Sequence, residues 1–174
     1  MTDTIDGYAE AIAAVIRAEG DPRADDELFR FAAALEANDE LRTALADPYV
    51  PAARRQQIVE DLLGAKASPV TLGAVSLVVG AGRGRDLPAI ARRVGEIRAR
   101  AAGHELAEVR TAVPLTDEER RRLAEALAGA VGHEVDLRVI VDPSVVGGIV
   151  TTIGDTVIDG SVRTRLTQVR SRLS

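Results

Sequence analysis

The chain has 174 residues with no cysteine, two histidines, 22 basic and 27 acidic residues, and a formal charge of −5. That length holds one domain or two small ones. The missing cysteines exclude disulfides, thiolate metal sites and a cysteine nucleophile, and the acidic balance argues against a nucleic-acid surface. In chain order, Ile5, Tyr8, Ile12, Val15 and Ile16 recur at three-to-four spacing and predict a helix over 4–19, closed by Gly20. Asp21 is the expected cap of a second helix over 22–37, with Pro22 at its first position and Leu28, Phe31, Ala32 and Leu35 along one side. Asn38 caps a short helix over 39–46. Pro51 opens a fourth, with Ile58, Leu62 and Leu63 inward and Gly64 as its stop. Residues 69–80 predict a fifth helix, apolar on most sides through Val70, Leu72, Val75, Val78 and Val79. The run GAGRGRDLP breaks it, and a sixth helix carries Leu87, Ile90, Val94 and Ile97.

Near Gly103–Glu105 the periodicity shifts from helical to alternating. Residues 105–114 predict a strand. Thr116 and Glu119 form a capping box for a helix that buries Leu123, Leu127 and Val131 and stops at Gly132. Residues 134–142 alternate again. A turn at Asp142-Pro143-Ser144 leads to a strand over 145–153, and Gly154-Asp155 signals a hairpin into 156–158. The expected core of this part includes Val109, Val113, Val139, Val150, Ile153, Val157 and Ile158. A last helix, 160–173, carries Val162, Leu166, Val169 and Leu173, with Arg163, Arg165, Arg170 and Arg172. Those arginines suit either a solvated helix end or a basic face for an acidic partner helix. The fold class is mainly α: a six-helix bundle over 1–104, then a small α/β domain over 105–174.

Charge is unevenly spread. Residues 1–40 hold 11 acids and 3 bases, whereas 41–104 hold 10 bases and 5 acids, so the two halves of the helical part attract each other. No constellation carries chemistry. The glycine-rich GAGRGRD lacks the Lys-Ser/Thr of a phosphate loop, and Arg85 stands where a dinucleotide fingerprint needs its third glycine. Asp142, Asp155 and Asp159 each have a local turn or cap role. His104 and His133 have no ligand spacing and no partner visible in the sequence. Catalytic, cofactor-binding and metal residues are therefore expected to be absent. The acidic N-terminal stretch is unlike a signal or transit peptide. The longest apolar run, 68–82, is shorter than the ~20 residues that span a bilayer. The expectation is a soluble chain with no membrane insertion that stays in the compartment where it is made.

The stretch VDPSVVGGIVTTIGDTVIDGSVRTRLTQVRSRL, residues 141–173, resembles the delta subunit of bacterial F-type ATP synthases, the family of the mitochondrial oligomycin-sensitivity-conferring protein. The matches are Asp142-Pro143-Ser144, Gly147-Gly148, Ile153-Gly154-Asp155, Ile158-Asp159-Gly160-Ser161 and Arg163 through Leu166. The Gly147-Gly148 pair within strand-like sequence suggests a bulge or close backbone packing. The resemblance continues upstream through TAVPLTDEE, AGRGRDLP, NDELRTALADP and Tyr8-Ala9, and so covers essentially the whole chain. Thr152 and Thr164 depart from it, where family members usually carry a basic residue and a glycine.

The resemblance implies a non-catalytic connector on the cytoplasmic face of the bacterial cell membrane. The helical part would sit on the alpha/beta catalytic head and grip an alpha N-terminal helix between its first and fifth helices. Ala11, Ile12, Val15, Leu72, Val75 and Val79 are the candidate contacts. The C-terminal part would hold the b subunits of the peripheral stalk, with Arg163, Arg165, Val169, Arg170 and Leu173 as candidates. A free-standing enzyme and a helical adaptor or RNA-binding bundle are the alternative classes.

Overall fold

The computed structural model describes residues 2–145, 147–154 and 156–160. Among them are seven α-helices, a short 3-10 turn and one four-stranded sheet. The chain divides into two compact units, Met1–Arg98 and Ala99–Ser174.

The first unit is built from α1 (Thr2–Glu19), α2 (Ala24–Ala37), α3 (Asp39–Ala46), α4 (Ala52–Leu63), α5 (Pro69–Gly80) and α6 (Leu87–Ala101), whose last residues belong to the second unit. Its core takes Ile16 from α1, Leu28 and Leu35 from α2, Leu45 from α3, Val59 from α4, and Leu87, Ile90 and Val94 from α6. α5 packs against α1, α2 and α4 and buries Val75, Val78 and Val79 completely. A helix with apolar residues on most sides is covered on most of them, and here only the side with Pro69, Gly73 and Leu77 stays exposed. The opposed charges of the sequence meet in part: Arg93 reaches Asp6 at 2.7 Å and Arg98 reaches Asp25 at 3.2 Å.

Polar groups fix the ends of several helices. Asn38 caps α3 by accepting the Leu41 N–H at 3.0 Å. Asp21 does not cap α2 as expected. Its carboxylate takes the Arg23 N–H at 2.9 Å in a local turn, and the helix begins only at Ala24. Ser68 caps α5 through the Thr71 N–H, and Glu27 of α2 reaches the same end, accepting the Ser68 N–H and the Thr71 hydroxyl, each at 2.8 Å. Burial raises the Glu27 pKa, but those donors outweigh it and hold the carboxyl below its ordinary value. At the other end of α5, the buried Arg55 donates to the carbonyls of Val79 at 3.2 Å, Asp47 at 3.0 Å and Val50. The glycine-rich loop is a helix breaker. Gly84 sits in a 3-10 turn (Gly84–Asp86), where a Cβ would lie 2.5 Å from the Leu45 carbonyl oxygen.

The second unit contains β1 (Glu105–Thr111), α7 (Asp117–Val131), β2 (Val135–Val141), β3 (Ile149–Ile153) and β4 (Thr156–Asp159), with sheet order β2-β1-β3-β4. β1 and β2 are parallel and are connected through α7, while β3 is antiparallel to both β1 and β4. α7 opens with the predicted capping box of Thr116 and Glu119. It buries Leu127 against Ala107 and Ile153, with Leu123 and Val131 half-buried beside them. Three expected core residues are not in the core: Val113, Val157 and Ile158 are exposed, on the loop after β1 and on the edge strand β4.

Val145, Gly147 and Gly148 also differ from expectation, because the third strand starts only at Ile149. Gly147 and Gly148 adopt φ of +65° and +84° in the turn before it. Side chains rarely adopt that left-handed conformation, so the glycine pair makes a turn and not a bulge within the strand.

Candidate functional site

A concave feature lies in the first unit, along the line where α1 meets α5. It is a groove of about 530 Å³. From α1 it is lined by Ala11, Ile12, Val15 and Glu19. From α5 the lining is Pro69, Val70, Gly73, Ala74 and Leu77. Eight of these nine residues are apolar or glycine, and Val15 and Leu77 stand about half exposed, at 51% and 53%.

The sequence explains why a groove forms there. Ala11, Gly73 and Ala74 are small, and a Cβ built on Gly73 meets nothing within 4 Å. The buried Ile12 lies at the bottom, the exposed Val15 and Leu77 stand at the sides, and the small Ala11, Gly73 and Ala74 leave the space between them open. The two helices run antiparallel along it. Ser68 at the start of α5 lies near enough to Asp21, just past the end of α1, to help lower the Asp21 pKa, and the Thr71 hydroxyl reaches the Ala24 carbonyl at 3.4 Å. Glu19 therefore marks the end of the groove beside the start of α5, and Ala11 and Leu77 the other end.

Of the residues expected to contact a partner, Ala11, Ile12 and Val15 line the groove. Leu72, Val75 and Val79 do not. Val75 and Val79 are fully buried in the core, and Leu72 is half-buried against it. The lining side of α5 is one helical step away, at Pro69, Gly73 and Leu77. Sequence reasoning missed these together with Val70, Ala74 and Glu19. With apolar residues around most of α5, periodicity gives no outward direction; only the break at Gly73 and Pro69 hinted at it.

The motif residues of the second unit serve its turns. Asp142 accepts the Ser144 hydroxyl at 2.6 Å and its N–H at 2.9 Å, and Arg110 lies 3.7 Å away. These contacts, Ser144 first, lower the Asp142 pKa. Pro143 follows in the turn, Gly154 takes φ +53° in the hairpin, and Asp159 pairs in register with Val150. Gly160 donates its N–H to the Ile149 carbonyl at 2.9 Å. His104 does have partners: Nδ1 lies 2.9 Å from Asp136 and Nε2 2.9 Å from Glu134. Asp155, the expected last helix and its candidates Arg163, Arg165, Val169, Arg170 and Leu173 lie outside the described residues. Among the described residues no group of three or more His, Cys, Asp or Glu is arranged to hold a metal. No described helix is long and apolar enough to cross a membrane.

Known proteins share this sequence and fold. A family model described as ATP synthase delta (OSCP) subunit matches residues 5–173. ATP synthase subunit delta of Acidothermus cellulolyticus is 40% identical over 168 residues, covering 97% of this chain and 61% of that protein. The Frankia alni subunit delta is 42% identical over 152 residues, covering 86% of this chain and 54% of its own. The chain thus spans about three fifths of the length of such relatives. One chain of the Toxoplasma gondii mitochondrial ATP synthase hexamer, solved by cryo-electron microscopy, superposes with a TM-score of 0.60 at 22% identity. The match covers 97% of this chain and 96% of that one, and it is a likeness of fold. Matched along nearly its whole length, the chain belongs to the ATP synthase delta (OSCP) subunit family.

Proposed function

We propose that this protein is a non-catalytic connector of an F-type ATP synthase, joining the alpha/beta catalytic head to the b subunits of the peripheral stalk. In this reading the first unit is the six-helix bundle that binds the head. The second unit, as an α/β domain, binds the stalk. Together they hold the head static against rotor torque during proton-driven ATP synthesis. The protein would work peripherally, on the cytoplasmic face of the cell membrane, without inserting into it.

The observation that carries the reading is the apolar groove between α1 and α5 in a chain of this family. A groove of that shape suits an amphipathic helix laid along it, here an alpha-subunit N-terminal helix. Four aliphatic anchors at ~1.5–3 kcal/mol each give roughly 6–12 kcal/mol gross, from which association removes at least ~4 kcal/mol. One short helix should therefore bind at about micromolar strength or weaker, and further contacts with the head would supply the rest.

The test is titration of the purified protein with the alpha N-terminal segment, alongside capture of synthase subunits from a membrane extract. Saturable binding that Leu77→Asp abolishes, with the fold intact, is the expected result. An unaltered affinity in that variant would place the partner elsewhere. ATP turnover that follows the protein through purification would remove the connector reading altogether.

A further inference from the structure

The groove has two unlike ends, and we infer that Glu19 makes it selective for a helix carrying a basic side chain at the end of its apolar stripe. This rests on the groove reading above and adds the direction in which the occupant lies.

Glu19 is the single charged residue among those lining the groove, and it sits at the end beside the start of α5. At the opposite end stand Ala11 and Leu77, with no charge in the lining. Glu19 is exposed and has no ion-pair partner among the described residues. Arg17 stands two residues back, a spacing that puts it on a different face of α1. Arg23, four residues on, is turned to Asp21 at 3.7 Å. The nearby Asp21 and Glu27 carboxylates are occupied by the turn at Arg23 and by the start of α5. Glu19 is thus the carboxylate of the groove lining that an incoming chain meets.

An occupant helix fills the apolar walls in either direction about equally well. A lysine or arginine at one end of its stripe meets Glu19 in only one of them. In the reverse direction the same cation lies against Leu77 and loses water without gaining a counter-charge. The carboxylate thus acts mainly on direction and on partner choice, as charged rims of interfaces do.

The experiment compares the full chain with Glu19→Gln, Glu19→Lys and, as a control for overall charge, Glu10→Lys on another face of α1. The probes are the alpha N-terminal segment and two variants of it that carry a lysine or a glutamate at one end of its apolar stripe. The expected loss for Glu19→Gln is about two- to fivefold in affinity for the lysine peptide, the effect of one exposed ion pair. Glu19→Lys should lose roughly tenfold as attraction becomes repulsion, and it should bind the glutamate peptide better than wild type does. The differences should fade near 1 M salt, where the screening length is ~3 Å, and Glu10→Lys should bind nearly as wild type. Equal binding by wild type and Glu19→Lys, with Leu77→Asp inactive, would overturn the inference while leaving the groove reading intact. No binding of the segment to wild type would remove both.

Discussion

The two units solve the same problem with different means. Residues buried from α1 through α6 form one continuous core in the first unit, in which Val75, Val78, Val79, Leu45 and Leu35 have no exposure. Polar side chains inside that unit tie helix ends together: Glu27 holds the start of α5, and Arg55 holds its end and the chain after α3. In the second unit the described core cluster is Ala107, Leu127 and Ile153, with Leu106 and Val109 also buried in β1, and the polar Glu108, Thr111 and Thr151 are buried as well. Strand pairing carries more of the order there. The difference teaches that a unit with a surplus core can leave an apolar groove open and stay folded. In the described part of the second unit, strand register, turns and the α7 cap supply much of the order.

Breaking the interior ties is the severest way to challenge this contrast. Arg55→Ala removes three hydrogen bonds from a buried charged donor, each worth ~1.5–3 kcal/mol where the donor is charged. The first unit should lose about 3 kcal/mol or more, seen as a fall in its denaturation midpoint. The neighbouring exposed Arg54→Ala should stay within ~0.5 kcal/mol. Similar losses for both variants would mean that the interior ties contribute little.

A second pair of variants separates core from groove on one helix. Val75→Ala empties a fully buried site and should cost about 2 kcal/mol, two methyl groups plus a cavity, with little change in peptide affinity. Leu77→Asp, two residues on and half exposed, should do the reverse: stability near wild type, peptide affinity down by at least ~10-fold. If both variants move both quantities together, α5 has no distinct inner and outer sides.

That same pair shows where the sequence was legible and where it was not. Helices with a single apolar stripe were readable to within a few residues, as α1 and α6 show, and so was the capping box of α7, because each rests on local spacing. α5 was readable as a helix but not in its orientation. With valine and leucine around most of its circumference, only its neighbours decide which residues are inside, and Val75 and Val79 went to the core. The start of α2 was misread because Asp21 has a closer donor in the Arg23 N–H. The strand expected from residue 145 was delayed because apolar alternation cannot register two glycines at positive φ. Arg55, Glu27 and His104 act over 20 residues or more, and nothing in their sequence neighbourhoods announces such partners.

In the second unit the larger local effect is the cap of α7. Thr116 accepts the Glu119 N–H at 3.3 Å, and Glu119 returns a carboxylate to the Thr116 N–H at 2.8 Å. Thr116→Ala should cost ~1 kcal/mol. Because α7 packs on β2 and covers Ala107 and Ile153, this should speed amide exchange across β1 and β2 as well as in α7. Exchange raised in α7 alone would show that the helix frays independently and that the sheet does not rely on it.

The smallest expected effect is a pH dependence that belongs to the second unit. His104 precedes β1, and its two ring nitrogens face Asp136 of β2 and Glu134 just before it, each at 2.9 Å. A neutral imidazole has one N–H and can donate to only one of them, so the arrangement favours the doubly protonated ring. The hydrogen bond that His104 Nδ1–H donates to Asp136 is the main cause of a raised His104 pKa, with Glu134 adding to it against some desolvation. A histidine whose folded pKa lies above its unfolded value of ~6.5 adds stability that is complete below about pH 6.5. That stability is lost as pH rises through the folded value. The ring is partly exposed, so solvent screens the interaction and the effect on stability is small. A proton NMR titration should find His104 above the ordinary histidine value, and Asp136→Asn should bring it down. Amide exchange in β1 and β2, corrected for the intrinsic pH effect, should quicken between about pH 6 and pH 8.5 in wild type but not in His104→Gln. A wild-type His104 that titrates at the ordinary value, with the strands equally protected at both pH values, would show that this contact does not help to hold β1 to β2.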